Sequence, residues 1–438
     1  MRRSEQKQSA GHVRFYCLLA LLLVLIALRY ALQIDVPPVI FLVIIVCMAL
    51  FGNLNELVCI CICCIALHES IDLFYALTFC ILIFAVKFAK EIRINPAIIP
   101  ILAMVIWELL HCFRPDFSLI TYISSCIPLL MLALFMCIDV RKTDYSYIAR
   151  AFAITLAGIC LLLLLKLLYL SDFNILKTFA GLRRLGHDAS EVSLDGKGTI
   201  QTNTLGILCV LATTCLMQVR MWGRGSPGDL ILAIALMVFG TLTASRTYLV
   251  CLALMLILLL FSQQGSVKKK MKFLGVMLLA LAATVGLVYL IFPDLIEYYF
   301  SRFRETDITT GRDVLMVRYG EFILTNPKVL FFGIGLNCYH DDLMVVHKVA
   351  AGVPHNGIQE LIIAWGLPGL ILFFGLFVAM IRRAGQFCPK RKLLNYIPLI
   401  ILLVKSQAGQ MLNSSYTMLA FSLAYLSMCQ DFTKEQKN

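Results

Sequence analysis

Charge is what this chain has least of: 15% of its 438 residues are Asp, Glu, Lys or Arg, against 60% that are hydrophobic. An ordinary soluble domain carries about 25% charged residues, so that class is excluded. The mean hydropathy of +0.87 requires most of the chain to be solvated by lipid. A formal net charge of +12 does not imply nucleic acid here, because Lys and Arg fall largely in short clusters between apolar runs. A small-residue cleavage site is missing after the run from Phe15 to Leu28. Although "MRRSEQKQ" ahead of that run imitates a signal peptide, it reads as a retained first helix. No linker or low-complexity segment divides the chain, which makes residues 1–438 one integral membrane domain.

What is present in excess is apolar sequence in lengths that suit a bilayer. The chain reads as an all-α polytopic membrane protein of about 12–14 transmembrane helices, at about 20 residues each. The runs fall near 15–31, 37–51, 55–67, 71–87, 96–111, 117–138, 148–170, 203–219, 229–244, 246–263, 273–293, 356–381, 394–410 and 414–429. With the N-terminus inside, "KFAKEIR", "DVRKTD", "VRMWGRG", "SVKKKMK", "RRAGQFCPKRK" and the tail "TKEQKN" all become cytoplasmic, as the positive-inside rule requires. Most of the 17 Cys lie inside apolar runs, as in "CICICC" from Cys59 to Cys64, and read as small polarizable packing residues.

This orientation leaves two long segments outside, a smaller one at 171–202 and a large one at 293–354. Long loops among short connections are binding or catalytic features unless disordered. "LMVRYGEFIL" and "KVLFFGIGLNCY" give the large loop amphipathic stretches that suit packing on the outer membrane face. Both loops break the charge pattern, because Lys177, Arg183, Arg184, Lys197, Arg302, Arg304, Arg312, Arg318, Lys328 and Lys348 sit on the cation-poor side. An anionic ligand is the simplest offset. Guanidinium suits phosphate, and a lipid-linked diphosphate is the phosphate that a membrane-face site meets. Headgroup contact also accounts for Arg183 and Arg184. Arg246, in "TLTASRTYLV", lies at the outer end of an apolar helix, where an unpaired cation is costly and snorkelling is the bland alternative.

Read in order, "RRLG" at Arg183 to Gly186, "TNTLG" at Thr202 to Gly206, "TASRTYL", "TTGRDVLM", "NPKVLFFGIGLNCY" and "PHNGIQELIIAWGLPGLILF" resemble the O-antigen ligase and O-antigen polymerase superfamily. These are integral membrane glycosyltransferases that use undecaprenyl-diphosphate-linked glycans. The likeness runs from about Arg183 to Phe374, with 203–374 as the ligase-like core, and it implies a GT-C-like architecture. No single motif carries it; the order and the side of the membrane do.

The resemblance implies a set of site residues. The family's loop Arg falls on Arg184 or its neighbour Arg183, with Asn203 opening the next helix. Its Ser-Arg falls on Ser245 and Arg246, its Gly-Arg on Gly311 and Arg312, and its His-Asn on His355 and Asn356. Two departures are visible: no Pro precedes Asn203, and "DVLMV" replaces the usual aromatic after the Gly-Arg. In glycosyl transfer from a lipid diphosphate, an acceptor hydroxyl attacks the anomeric carbon as the diphosphate leaves. His355 can take the hydroxyl proton, and Arg312, Arg184 and Arg246 can stabilise the leaving charge. Asn356 can cap its helix or bond a sugar hydroxyl, and Gln359 is the same-face neighbour of His355. Glu108 and His111 read as lining the same cavity.

The expected catalyst needs no cofactor and no metal, and it inverts the anomeric configuration. "ETD" at Glu305 to Asp307 and the pair Asp341 and Asp342 are the carboxylates that a metal-dependent version would use, but they read better as ion-pair partners of nearby arginines. The implied partners are an undecaprenyl-diphosphate-linked donor, a glycan or surface-carrier acceptor, and membrane lipid. The implied location is the bacterial cytoplasmic membrane, with both termini cytoplasmic and the site outside. A transporter or flippase of lipid-linked oligosaccharide is the competing class; it predicts internal repeats or midplane ionisable groups, which this sequence does not display.

Overall fold

The computed structural model describes residues 2–113, 118–174, 184–186, 200–263, 267–291, 293, 297, 301, 312–336, 354–407, 409 and 415–432. Every apolar run of the sequence forms a helix, and no strand occurs among the described residues. In chain order the helices are α1 (Arg2–Tyr30), α2 (Pro38–Phe51), α3 (Leu54–Leu67), α4 (Leu73–Lys87), α5 (Ile99–Leu109), α6 (Leu119–Cys137), α7 (Tyr145–Tyr169), α8 (Thr202–Met221), α9 (Pro227–Leu242), α10 (Arg246–Ser262) and α11 (Val267–Ile291). The large loop adds α12 (Arg312–Thr325) and α13 (Pro327–Phe332). Then follow α14 (Gly357–Phe387), α15 (Leu393–Gln407) and α16 (Ser415–Met428). Among the described residues, five stretches, His12–Tyr30, Pro96–Phe113, Tyr145–Tyr169, Thr202–Met221 and Gly357–Phe387, are long and apolar enough to cross a membrane, and shorter apolar helices such as Pro38–Phe51, Leu54–Leu67 and Arg246–Ser262 pack beside them. The chain is an all-α polytopic membrane protein.

Helix starts are written locally. Asn53 accepts from the Glu56 N–H while Glu56 accepts from the Asn53 N–H, both at 3.0 Å, a reciprocal cap that opens α3. Ser226 and Asp229 do the same for α9. Pro38, Pro227 and Pro327 stand in first turns, where a missing N–H costs nothing. Apolarity on all sides then sends a helix to the centre. Every residue of α3 is buried, including Cys59, Cys61, Cys63 and Cys64, and α8 is buried along most of its length.

Polar ties fasten one end of the bundle. Arg150 grips Asp229 through Nε at 2.9 Å and Nη2 at 3.0 Å, and also donates to the Arg224 carbonyl at 2.6 Å. Gln218 accepts from the Tyr145 hydroxyl and donates to the Leu394 carbonyl and Ser427 Oγ. Successive helices joined by short turns run antiparallel, so the starts of α8, α10, α14 and α16 gather at the opposite end. Thr204 Oγ1 to Tyr416 OH at 3.2 Å and Ser245 Oγ to Asn203 Oδ1 at 2.7 Å join three of those starts directly.

The run expected at 356–381 proves to be one long helix with a break. At "WGLPG", Gly366 takes φ +67° and ψ −168°, and Pro368 has no N–H, so carbonyls of the preceding turn lose their helical donors. Other chain segments supply them: Ile334 N–H donates to the Ile363 carbonyl at 2.7 Å, Gly335 N–H to that of Ala364 at 2.8 Å, and Trp107 Nε1 to that of Trp365 at 2.9 Å. Residues 367–387 alone give about 30 Å of helix at 1.5 Å per residue. The segment from Gly357 to Trp365 is thereby released to hold the large loop.

Candidate functional site

The described part of the large loop packs on protein, where the sequence suggested the membrane face alone. Tyr319, Phe322 and Ile323 of α12 form a small core with Val329, Ile334 and Ile363. Their spacing, i, i+3 and i+4, makes one helix stripe. Glu108, buried at the end of α5, accepts the Leu336 N–H through both oxygens at 3.0 and 3.1 Å and the Trp365 indole N–H at 2.6 Å. His111 Nε2 meets the Phe332 carbonyl at 3.2 Å. Glu108 is therefore a clamp between loop and broken helix. Glu108→Ala leaves the Leu336 and Trp365 donors without their acceptor and is expected to cost about 2 kcal/mol or more. A lower thermal midpoint in detergent and faster proteolysis within 312–336 are the readouts, with Glu108→Gln, which keeps one acceptor oxygen, in between.

This packing brings His355 and Arg312 together. His355 sits one residue ahead of the cap of α14, and Arg312 lies on α12. Burial, and then the Arg312 guanidinium, hold the imidazole below its ordinary pKa of 6.5. Its neutral, proton-accepting form therefore prevails at neutral pH. Asn356 is the helix cap, accepting from the Ile358 and Gln359 N–H groups at 3.0 and 3.1 Å, so its side-chain oxygen is committed to backbone. Gln359 donates from Nε2 to the Met316 carbonyl at 2.7 Å, while its Oε1 is buried without a hydrogen-bond partner among the described residues. A buried unsatisfied acceptor of this kind suits a ligand hydroxyl.

A second group forms at the neighbouring helix starts. Ser245 caps α10 by accepting from the Tyr248 N–H at 3.3 Å, and Arg246 is the first helical residue. The chain reaches that cap through Ala244 at φ +47°, a left-handed conformation that costs a non-glycine residue energy and fixes the direction in which Arg246 leaves the turn. Asn203 lies in the first turn of α8, which begins one residue earlier than the sequence suggested, and holds Ser245. Leu185 N–H donates to the Leu242 carbonyl at 2.9 Å, which seats the adjoining Arg184 beside the same turn. Arg183 and Gly311 lie outside the described residues, as do Glu305 to Asp307 and Asp341 and Asp342. Among the described residues no group of three or more His, Cys, Asp or Glu could hold a metal ion.

A shared feature links both groups: Asn203 and Arg246 stand in the first turns of α8 and α10, and His355 precedes the cap of α14. Such ends carry about half a positive charge and disfavour cations. Arg246 adds a cation where the dipole already opposes it, which favours an anion beside it. The sequence reading missed Lys405 and Tyr416, buried near the same helix starts; one Lys inside "LIILLVKSQ" was the available signal.

Fold and site together define a polytopic helical membrane protein with a cation-rich, histidine-bearing site at one end of its bundle. Residues 230–374 match the family model described as O-Antigen ligase, which supports the O-antigen ligase and polymerase superfamily for this chain. The matched stretch contains Arg246, Arg312, His355, Asn356 and Gln359, and leaves Arg184 and Asn203 outside. At the family level the match supports an enzyme of polysaccharide assembly. No curated protein matches the chain.

Proposed function

We propose that the protein is an inverting, metal-independent glycosyltransferase that extends or transfers undecaprenyl-diphosphate-linked oligosaccharide at the extracytoplasmic face of the bacterial cytoplasmic membrane. Residues 203–374 form its core, and the loops 171–202 and 293–354 bring the outer cations to it. The observation that carries this reading is the pairing of a half-buried His355, held toward its neutral form, with the Arg312 guanidinium. His355 accepts the proton of the acceptor hydroxyl as its oxygen bonds the anomeric carbon. The bond to the donor diphosphate breaks, and its electron pair leaves on the diphosphate. Arg312, Arg184 and Arg246 stabilise that charge, with Arg183 as the alternative to Arg184, and Asn203 holds the Ser245 turn. Gln359 Oε1 takes a sugar hydroxyl.

Polymerase is favoured over ligase because α12, with its inner stripe packed on protein, keeps Val314, Val317 and Leu324 exposed as an apolar bed for a second lipid-linked chain. The test is reconstitution of the purified protein with undecaprenyl-diphosphate-linked repeat units, followed by electrophoresis. A ladder of longer lipid-linked glycans that persists in excess chelator is the expected result. Transfer only to an added envelope acceptor makes the protein a ligase. No product with any acceptor, together with movement of the lipid-linked unit across the bilayer, would replace the enzyme by a transporter.

A further inference from the structure

Arg246 stands at a helix mouth, but another cation lies deeper. Lys405, in the last turn of α15, is 7% exposed. Its Nζ donates to Thr417 Oγ1 at 3.0 Å and lies 4.9 Å from the centroid of the Tyr416 ring. Tyr416 accepts from Thr204 through its hydroxyl, and its ring packs 4.9 Å from that of His68. Thr204 is the chain neighbour of Asn203, which holds Ser245 beside Arg246, and α15 packs along α10. A continuous buried polar layer, Lys405, Thr417, Tyr416, Thr204 and Ser245, thus leads from the ammonium to the Arg246 helix start.

A neutral side chain could make the Thr417 contact. A glutamine amide donates to a threonine hydroxyl as well as an ammonium does, and it is far cheaper to bury. What an ammonium adds is its field, which low-dielectric surroundings screen little over several ångströms. In the reading above, the donor diphosphate lies at Arg246, beside the α8 and α10 helix starts. We propose that Lys405 is an electrostatic positioning residue of the donor site, its buried charge joining that of Arg246 in holding the diphosphate of an isoprenoid-linked substrate. This rests on the glycosyltransferase reading above and adds to it a charge that does not touch the reacting atoms.

The experiment titrates full-length protein in nanodiscs with farnesyl diphosphate, farnesyl monophosphate and phosphatidylglycerol, using wild type, Lys405→Gln and Lys405→Arg. Lys405→Gln keeps a donor for Thr417 and removes the charge, together with its attraction to the Tyr416 ring. It is expected to lose about tenfold or more in affinity for farnesyl diphosphate and less for the monophosphate. Lys405→Arg stays near wild type, and thermal midpoints stay level. Equal binding by wild type and Lys405→Gln overturns the assignment, as does an equal loss in both variants, which would make the role one of shape. A loss confined to phosphatidylglycerol assigns the charge to a phospholipid headgroup and overturns it too. Wild type that fails to bind farnesyl diphosphate removes the glycosyltransferase reading itself, a distinct failure.

Discussion

His355→Ala is expected to reduce glycan extension by about 10²- to 10⁴-fold, the range that removal of a general base commands, with insertion and thermal midpoint unchanged. The pH profile gives the sharper test. Burial and Arg312 hold the His355 pKa below 6.5. The base form is the working one, so activity is full above that pKa and falls as pH drops through it. The acid limb of the wild type therefore lies below pH 6.5. Arg312→Gln removes the smaller of the two causes and lets the imidazole protonate more easily, so the limb moves to higher pH, though only partly, because burial remains. Arg312→Lys keeps the charge and leaves the limb in place. Arg312→Gln also lowers turnover at every pH through the lost stabilisation of the leaving diphosphate. An acid limb that ignores Arg312→Gln would detach the arginine from the histidine, and wild-type activity in His355→Ala would end the role of His355 as base.

How far this site could be read from sequence depends on whether its parts are local. Helices followed from apolar runs, and the cap role of Asn356 followed from its place before "GIQELII", since both depend on neighbours a few residues away. The order of "SR", "GR" and "HN" along the chain also pointed to one end of the bundle. The Glu108 clamp was not legible, because its partners Leu336 and Trp365 lie 228 and 257 residues distant. Lys405 was hidden for a different reason: a lone cation near a helix end reads as a snorkelling residue, and only packing of α8, α15 and α16 shows that it is buried. The repair of the broken helix by the "FFGIGL" backbone also required the fold, since sequence shows that Pro368 lacks a donor without showing which segment supplies the replacements.

That repair leads to the second large effect, a loss of activity from two glycines that touch no site residue. Gly333 (φ +74°) and Gly366 (φ +67°) face each other across the loop and the break. A Cβ on Gly333 would stand 2.3 Å from the Ala364 carbonyl oxygen, and one on Gly366 would stand 2.6 Å from the Phe331 carbonyl carbon. Backbone atoms cannot turn aside as a side chain does. Gly333→Ala and Gly366→Ala therefore each carry about 1–3 kcal/mol for a positive-φ, extended-ψ conformation that is essentially reserved to glycine, and the contact additionally forces the segments apart. Separation breaks the Ile334 and Gly335 bonds to the turn before Gly366, at about 0.5–1.5 kcal/mol each, and draws Leu336 from Glu108. With α13 displaced, α12 loses its seat on Ile363 and carries Arg312 away from His355. Both variants are expected to insert normally, become protease-sensitive within 312–336, and lose most activity. What remains should show the acid limb of Arg312→Gln, because the same charge has left the same imidazole. Residual activity with a wild-type limb would mean that the glycines hold the loop without setting the site.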